Sequence, residues 1–253
     1  MDSDALQTYL SGDGRLAAVR AAAQHGIVEA QTIFGQMLLD GKFLPRDPEA
    51  ALRWFTSAAG GRHAEAMNMA GRCHELGWGT PAAPDIAASW YRQAAELGYT
   101  WGQYNLANLL LRGRGVMQDR GQALRWFRAA AAQGHAKSMN LLGRFYEEGW
   151  EIPADRQAAL HWYRCSAEAG DFRGQYNYAT ILLAQGQTAA ACQWVRKAVS
   201  AGTPEFLTTI GRQLVGAEDA DLRELGKQAL SQGLAYATGS SSPQATNSPA
   251  HAG

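Results

Sequence analysis

The sequence predicts an all-α array of antiparallel helix pairs, a solenoid and not a globule built around one centre. Three observations carry this. Trp54, Trp90, Trp126 and Trp162 are each separated by 36 residues, and Trp194 follows after 32. Small residues open five segments in the same 36-residue step: Ala30, Ala66, Gly102, Ser138 and Gly174. Eleven positions after the opening residue stand Gly41, Gly77, Gly113 and Gly149. A fixed period of this length is the signature of stacked small units, each unable to bury its apolar face alone.

Taken in order, residues 2–24 read as two helical pieces broken at Gly12-Asp13-Gly14. Ser11 or Asp13 would cap the second piece and Gly26 would stop it. This degenerate pair, residues 1–29, is expected to cap the array. Five fuller repeats then occupy residues 30–202. In each, the opening small residue lies on a short first helix, which the glycine eleven positions later ends, because glycine adopts left-handed dihedrals without cost. The fifth repeat has Gln185 at that point, with Gly186 next. Five positions after the opening come Gly35, Gly71, Ala107, Gly143 and Ala179.

Each second helix has its own start signal. Asp47, Asp119 and Asp155 lie seven before the Trp and suit an N-cap. The repeat at 66–101 has Ala83 there, followed by Pro84, which fits a first helical turn. The fifth repeat lacks four residues in this loop, so its helices should be joined tightly. Alanine sits three before every Trp (Ala51, Ala87, Ala123, Ala159, Ala191), and alanines recur four and five after it (Ala58, Ala59, Ala94, Ala95). The result is a narrow helix that neighbours can approach closely. The Trp row is expected to be core, so that Trp126→Ala would cost roughly 3–5 kcal/mol.

A sixth pair, residues 203–236, has Gly211 five after Phe206 and a second helix over about 219–236 that has lost the Trp. It reads as the C-terminal cap. Residues 237–253, ATGSSSPQATNSPAHAG, hold too little apolar side chain to fold and are expected to be disordered.

Composition narrows the function classes. Hydrophobic content is 46% and charged content 18%, as in an ordered, core-forming protein. Lys plus Arg equals Asp plus Glu, 23 each, which removes the electrostatic case for a nucleic-acid partner. The start, MDSDALQTYL, does not read as a secretory signal, and runs such as Leu109 to Leu111 are too short to span a bilayer. Cys73, Cys165 and Cys192 form no close pair and no metal spacing, so a reducing, cytoplasmic location is expected. No catalytic residue, cofactor site or metal site is expected. The six histidines make no HExxH or other i, i+4 pair, Cys73 stands where other repeats have Met37, Leu109 or Phe145, and no nucleophile–base constellation is visible.

The repeat pattern over residues 30–202 resembles the Sel1-like repeat, a relative of the tetratricopeptide repeat. The fullest match is Leu106, Ala107, Leu110, Gly113, Gly115, Val116, Asp119, Ala123, Trp126, Phe127, Ala130, Ala131 and Gly134. Residues 138–170 match nearly as well, through Leu142, Gly143, Tyr146, Gly149, Asp155, Ala159, Trp162, Tyr163 and Gly170. Departures are Arg62 where a glycine is expected, the short fifth loop and the lost Trp at the end. The resemblance implies a right-handed superhelix of helix pairs acting as a non-enzymatic adaptor between proteins.

At about 100° per residue, positions 0, 4, 8 and 11 of the first helix face inward, whereas 2, 6 and 9 fall opposite and would line the concave, partner-binding surface. Position 2 brings Asn68, Tyr104, Asn140 and Tyr176; position 6 brings Arg72, Asn108, Arg144 and Arg212; position 9 brings Glu75 and Glu147. Asn offers donor and acceptor to an extended backbone, Arg a fork for carboxylate, and Tyr and Arg are common binding hot spots. By resemblance to tetratricopeptide domains, Asn68, Arg72, Asn108, Asn140, Arg144 and Arg212 would hold a peptide's backbone and carboxylate. The same row also suits a solvated face on which Arg72 pairs with Glu75 and Arg144 with Glu147. The repeats alternate, which makes the period 72 and predicts two sub-sites, near Asn68/Arg72/Tyr104 and near Asn140/Arg144/Tyr176. Trp78 and Trp150 follow the terminating glycines, either as exposed anchors or folded back on the next pair; Trp101 should be packed. The expected function is a scaffold or adaptor, monomeric on its own, that binds a protein segment. The alternative is an inhibitor of the immunity type that wraps and blocks an enzyme or toxin. No membrane partner is expected.

Overall fold

The computed structural model describes residues 12–237. The helical piece expected at residues 2–11 lies outside these, as does the expected tail after its first residue. Among the described residues there are thirteen α-helices and no strand. They are α1 Gly12–Gln24, α2 Val28–Asp40, α3 Pro48–Gly60, α4 Ala64–Leu76, α5 Pro84–Glu96, α6 Thr100–Arg112, α7 Arg120–Ala132, α8 Ala136–Glu148, α9 Arg156–Glu168, α10 Phe172–Ala184, α11 Thr188–Ala201, α12 Pro204–Leu214 and α13 Ala220–Ala237. Two compact units divide them, one ending at Gln133 with α1–α7, the other beginning at Gly134 with α8–α13. Within each unit a helix packs chiefly on its neighbours in sequence.

Most of the boundaries follow the expected signals. Gly41, Gly77, Gly113 and Gly149 end first helices with φ of +69°, +72°, +66° and +68°. At the fifth repeat Gln185 stays at φ −95°, and Gly186 makes the left-handed turn instead. Asp47 accepts from the Ala50 N–H, Asp119 from Gln122, and Asp155 from both Gln157 and Ala158, each cap satisfying an N–H that the first helical turn would leave unpaired. Pro84 occupies the first turn after Ala83. The α10–α11 connection is residues 185–187, four fewer than the 149–155 connection before it. Arg62 takes the place of a glycine and its left-handed conformation, at φ +62°.

The described part of α1 begins at Gly12, and Gly12, Asp13 and Gly14 are helical in it; the helical piece expected before them, and so the break between the two, lies outside the described residues. One expectation is corrected: the Trp row is not the core. Trp54, Trp90, Trp126, Trp162 and Trp194 are all half-buried. The residue after each Trp is the buried one: Phe55, Tyr91 and Phe127 are 0% exposed, Tyr163 and Val195 1%. With the alanine three before the Trp and the small residues four and five after it, that neighbour completes a stripe at helical spacing. The Trp sits one step, about 100°, around the helix and covers the stripe's edge. Trp54 lies edge-on to Phe34 at 5.5 Å and Trp194 to Tyr178 at 5.6 Å.

The buried ring explains the glycine five positions after the residue that opens the repeat. A Cβ on Gly71 would lie 2.6 Å from the Tyr91 ring, and one on Gly143 2.5 Å from that of Tyr163. The glycine leaves the space that the aromatic ring takes against the neighbouring backbone. First helices have a cap that sequence reading missed. His63 Nδ1 accepts from the Ala66 N–H, His135 Nδ1 from Ser138 and the Asp171 carboxylate from Gly174.

Two predictions arise from this packing. Gly143→Ala should destabilise by about 1–3 kcal/mol, and Phe127→Ala by roughly 3–5 kcal/mol, whereas Trp126→Ala should cost only about 1–3 kcal/mol. Urea unfolding of the variants checks the order Phe127 above Trp126. The second concerns pH. Burial, with Lys137 adding, pulls the His135 pKa down from 6.5 to about 4, and burial lowers that of His74 as well. The unfolded chain therefore takes protons that the folded one refuses. That stability is present above about pH 6.5 and is lost as pH falls toward 4. The urea midpoint should drop over this window, and His135→Asp, which keeps a capping acceptor, should flatten the drop.

Candidate functional site

The site builds up from the end of a first helix. In the first compact unit, α4 presents Asn68, Arg72 and Glu75 on successive turns and then Trp78 in the loop beyond. The Arg72 guanidinium lies 5.1 Å from the centre of the Trp78 ring, a cation–π contact. Glu75 Oε2 accepts a 2.7 Å hydrogen bond from the Tyr91 hydroxyl, and Oε1 pairs with Arg114 Nη1 at 3.3 Å. Arg114 Nη2 also reaches the Glu75 carbonyl at 3.4 Å. Asn68 is only 4% exposed, and its oxygen accepts from the Asn105 side chain of α6 at 2.8 Å.

The second unit repeats this arrangement 72 residues on. Arg144 lies 5.3 Å from the Trp150 ring, and Tyr163 donates to Glu147 Oε2 at 2.6 Å. Asn140 is 5% exposed and accepts from Asn177 at 2.8 Å. The copies differ in charge. Gly186 stands where Arg114 would be, Glu148 replaces Leu76, and Glu151 replaces Gly79. Glu147 is exposed where Glu75 is partly covered. Burial raises the pKa of both tyrosines; the neighbouring carboxylate raises them further, so each hydroxyl keeps its proton and donates.

These contacts replace the expected Arg72–Glu75 and Arg144–Glu147 pairs. Each guanidinium lies over its indole, and each glutamate takes a tyrosine instead. The indoles of Trp78 and Trp150 are half-buried; Trp150 stands edge-on to Phe145 at 5.5 Å. The rest of the row divides between frame and surface. Asn108 donates to the Tyr104 carbonyl within α6 at 2.8 Å, and Tyr104 stands 6.0 Å from Trp101, which is half-buried. Tyr176 donates to Gln213 of α12 at 2.8 Å and meets Phe206 edge-on at 5.9 Å. Arg144, Glu147 and Arg212 are exposed; Arg72, Glu75, Tyr104, Asn108 and Tyr176 are partly so. Sequence reading placed position 2 on an open face, but the next first helix packs against that flank. The Asn68–Asn105, Asn140–Asn177 and Tyr176–Gln213 bonds all cross it.

The nucleophilic groups are few. Cys73 is buried, which pushes its thiol up to about 12 and leaves it protonated. Burial and Asp219 also raise the Cys192 thiol. Cys192, Asp219 and Asp221 lie close enough to offer three donor atoms, but Asp219 already caps α13 through the Leu222 N–H. Cys165 Sγ lies 3.7 Å from His161 Nε2 on the outer face of α9, an i, i+4 pair that neighbour spacing in the sequence does not reveal. Among the described residues no helix is long and apolar enough to cross a membrane.

Comparison with known proteins agrees with the repeat. The Sel1 repeat pattern matches residues 28–61, 64–99, 102–135 and 136–171, more than half of the chain. The fold is similar to the crystal structure of a Sel1 repeat protein from Oxalobacter formigenes, with a TM-score of 0.71 and 20% identity over 89% of this chain and 100% of that one. A protective antigen present in uropathogenic Escherichia coli strains gives 0.69 and 24% identity over 89% of this chain, which spans 50% of the antigen. An immunity protein from Pseudomonas aeruginosa gives 0.53 and 16% identity, over 81% of each chain. At these identities the likeness is one of fold: an all-α solenoid of helix pairs. No curated protein matches the chain by sequence.

Proposed function

The chain belongs to the Sel1 repeat family, and from that premise we propose that it is a non-enzymatic scaffold that holds a segment of a partner protein against its first helices. Sel1 repeat proteins are generally protein-interaction scaffolds. The observation that carries the reading here is the pair of guanidiniums, Arg72 on Trp78 and Arg144 on Trp150, held in the same way 72 residues apart. An arginine lying on an indole has already given up rotamer freedom, so it loses less on pairing with a partner's carboxylate. Tyr104 and Asn108 add to the surface in the first unit, and Tyr176 and Arg212 to that in the second. Asn68 and Asn140, being buried, serve the frame that presents it. The three free thiols suit a reducing, cytoplasmic setting.

A second reading, supported by the fold likeness to the Pseudomonas aeruginosa immunity protein, is that the partner is an enzyme or toxin that the chain blocks. Co-expression with the product of a neighbouring gene separates the two: rescue of growth marks an inhibitor, and capture without rescue marks an adaptor.

The scaffold reading is tested by affinity purification followed by titration of the captured partner. Arg72→Ala together with Arg144→Ala should weaken binding by about 2–4 kcal/mol with the helical circular dichroism unchanged. Unaltered affinity in the double variant rejects this face as the binding surface.

A further inference from the structure

We propose that Glu147 seats an arginine side chain from an extended segment of the partner. The proposal rests on the scaffold reading above and adds the chemistry of one subsite. The two glutamates at the ends of α4 and α8 are duplicates. Each lies on the last turn of its helix, and each has Oε2 held by a buried tyrosine, at 2.7 Å for Glu75 and 2.6 Å for Glu147. At Glu75 the chain itself supplies the cation. The Arg114 fork spans Oε1 and the main-chain carbonyl of the same residue. At Glu147 the corresponding position is Gly186, and among the described residues no cation lies within ion-pair distance and nothing donates to Oε1. Arg114 thus shows what fits beside this carboxylate: a guanidinium approaching past the helix C-terminus.

The space to receive it is present. Glu147 lines a cavity of about 520 Å³ whose apolar surface includes Ala159, Ile181 and Ala184. Such a floor suits the methylene stem of an arginine whose charged head reaches the carboxylate. The charge is right as well. Glu148 and Glu151 replace the Leu76 and Gly79 of the first copy, and the C-terminal end of α8 adds its own negative potential. Arg156 also lines the cavity, from the first turn of α9. The occupant must therefore offer an acceptor there. The carbonyls of an extended main chain do this, which favours a peptide segment over a small cation.

The probe is the peptide acetyl-Ala-Ala-Arg-Ala-Ala-amide, titrated into the whole isotope-labelled chain and followed by NMR. A control peptide carries citrulline, which keeps the shape and loses the charge. The charge pair, the buried arginine stem and the main-chain hydrogen bonds together should give a dissociation constant on the order of millimolar. Shifts are expected at the Ala154, Thr180, Ile181 and Ala184 methyl groups. They should weaken about tenfold with citrulline or in Glu147→Gln, a variant that can still accept from Tyr163. Arg114→Ala should open a second set of shifts around Glu75 and Tyr91. No shifts in the native protein at millimolar peptide, shifts that persist in Glu147→Gln, or shifts that appear only after Arg156→Ala would each overturn the proposal. The last would mean that Arg156 itself covers Glu147. Failure here with partner capture still sensitive to Arg72 and Arg144 rejects the subsite and leaves the scaffold reading standing; insensitivity of capture to those arginines rejects the scaffold reading independently.

Discussion

Close contact between an aromatic ring on one helix and a nearly bare backbone on the helix before it sets the geometry of the first, second and fourth repeats, where Phe55, Tyr91 and Tyr163 meet Gly35, Gly71 and Gly143. Tyr91 and Tyr163 lie against Gly71 and Gly143, nearer than any side chain would permit. From this contact follow the alanines that flank the ring along the second helix, since both helices must be slender to approach so closely. The exposed chemistry follows too. The far edge of the same ring carries a hydroxyl, and in both tyrosine copies that hydroxyl fixes a glutamate at the end of the first helix. Packing and surface polarity are therefore linked through one side chain, and the position of Glu75 or Glu147 is inherited from the core.

Much of the frame was legible in the sequence. A 36-residue period, a glycine that must turn left-handed and an aspartate that accepts from an N–H three residues on are local demands, and local demands leave local signals. The burial of the tryptophans was not legible. Period alone says that a position recurs, not which of two adjacent recurring positions points inward, and tryptophan is the more conspicuous of the pair. The helical stripe through Ala123, Phe127 and Ala130 carried the answer, because those three share a face that Trp126 leaves by one step.

The functional row was legible only in part, for a different reason. A helical wheel has two sides, whereas a helix inside an array is covered on three. Asn68 and Asn140 read as outward on the wheel, but they are on the flank that meets the next first helix. The partners of the charged residues were hidden as well. Arg114 reaches Glu75 across 39 residues of sequence, and Arg72 turns to an indole six positions on, so neither link follows from spacing within one helix. What sequence did reveal was the 72-residue alternation, which the Arg–Trp and Tyr–Glu contacts reproduce in each compact unit.

The two asparagine bonds have a consequence for how such a chain can change length. Asn105 meets Asn68, and Asn177 meets Asn140. In both cases a residue two positions into one repeat meets one three positions into the next, and alternate repeats carry Met69 and Leu141 where Asn105 and Asn177 stand. Excising residues 102–137 alone would set Asn68 against Leu141 in a buried place, where an unmatched amide is costly. Excising residues 102–173 together would set Asn68 against Asn177 and restore amide to amide. In the middle of the array a change of length is therefore least costly in steps of two, and any surface offered there is counted in the same double measure.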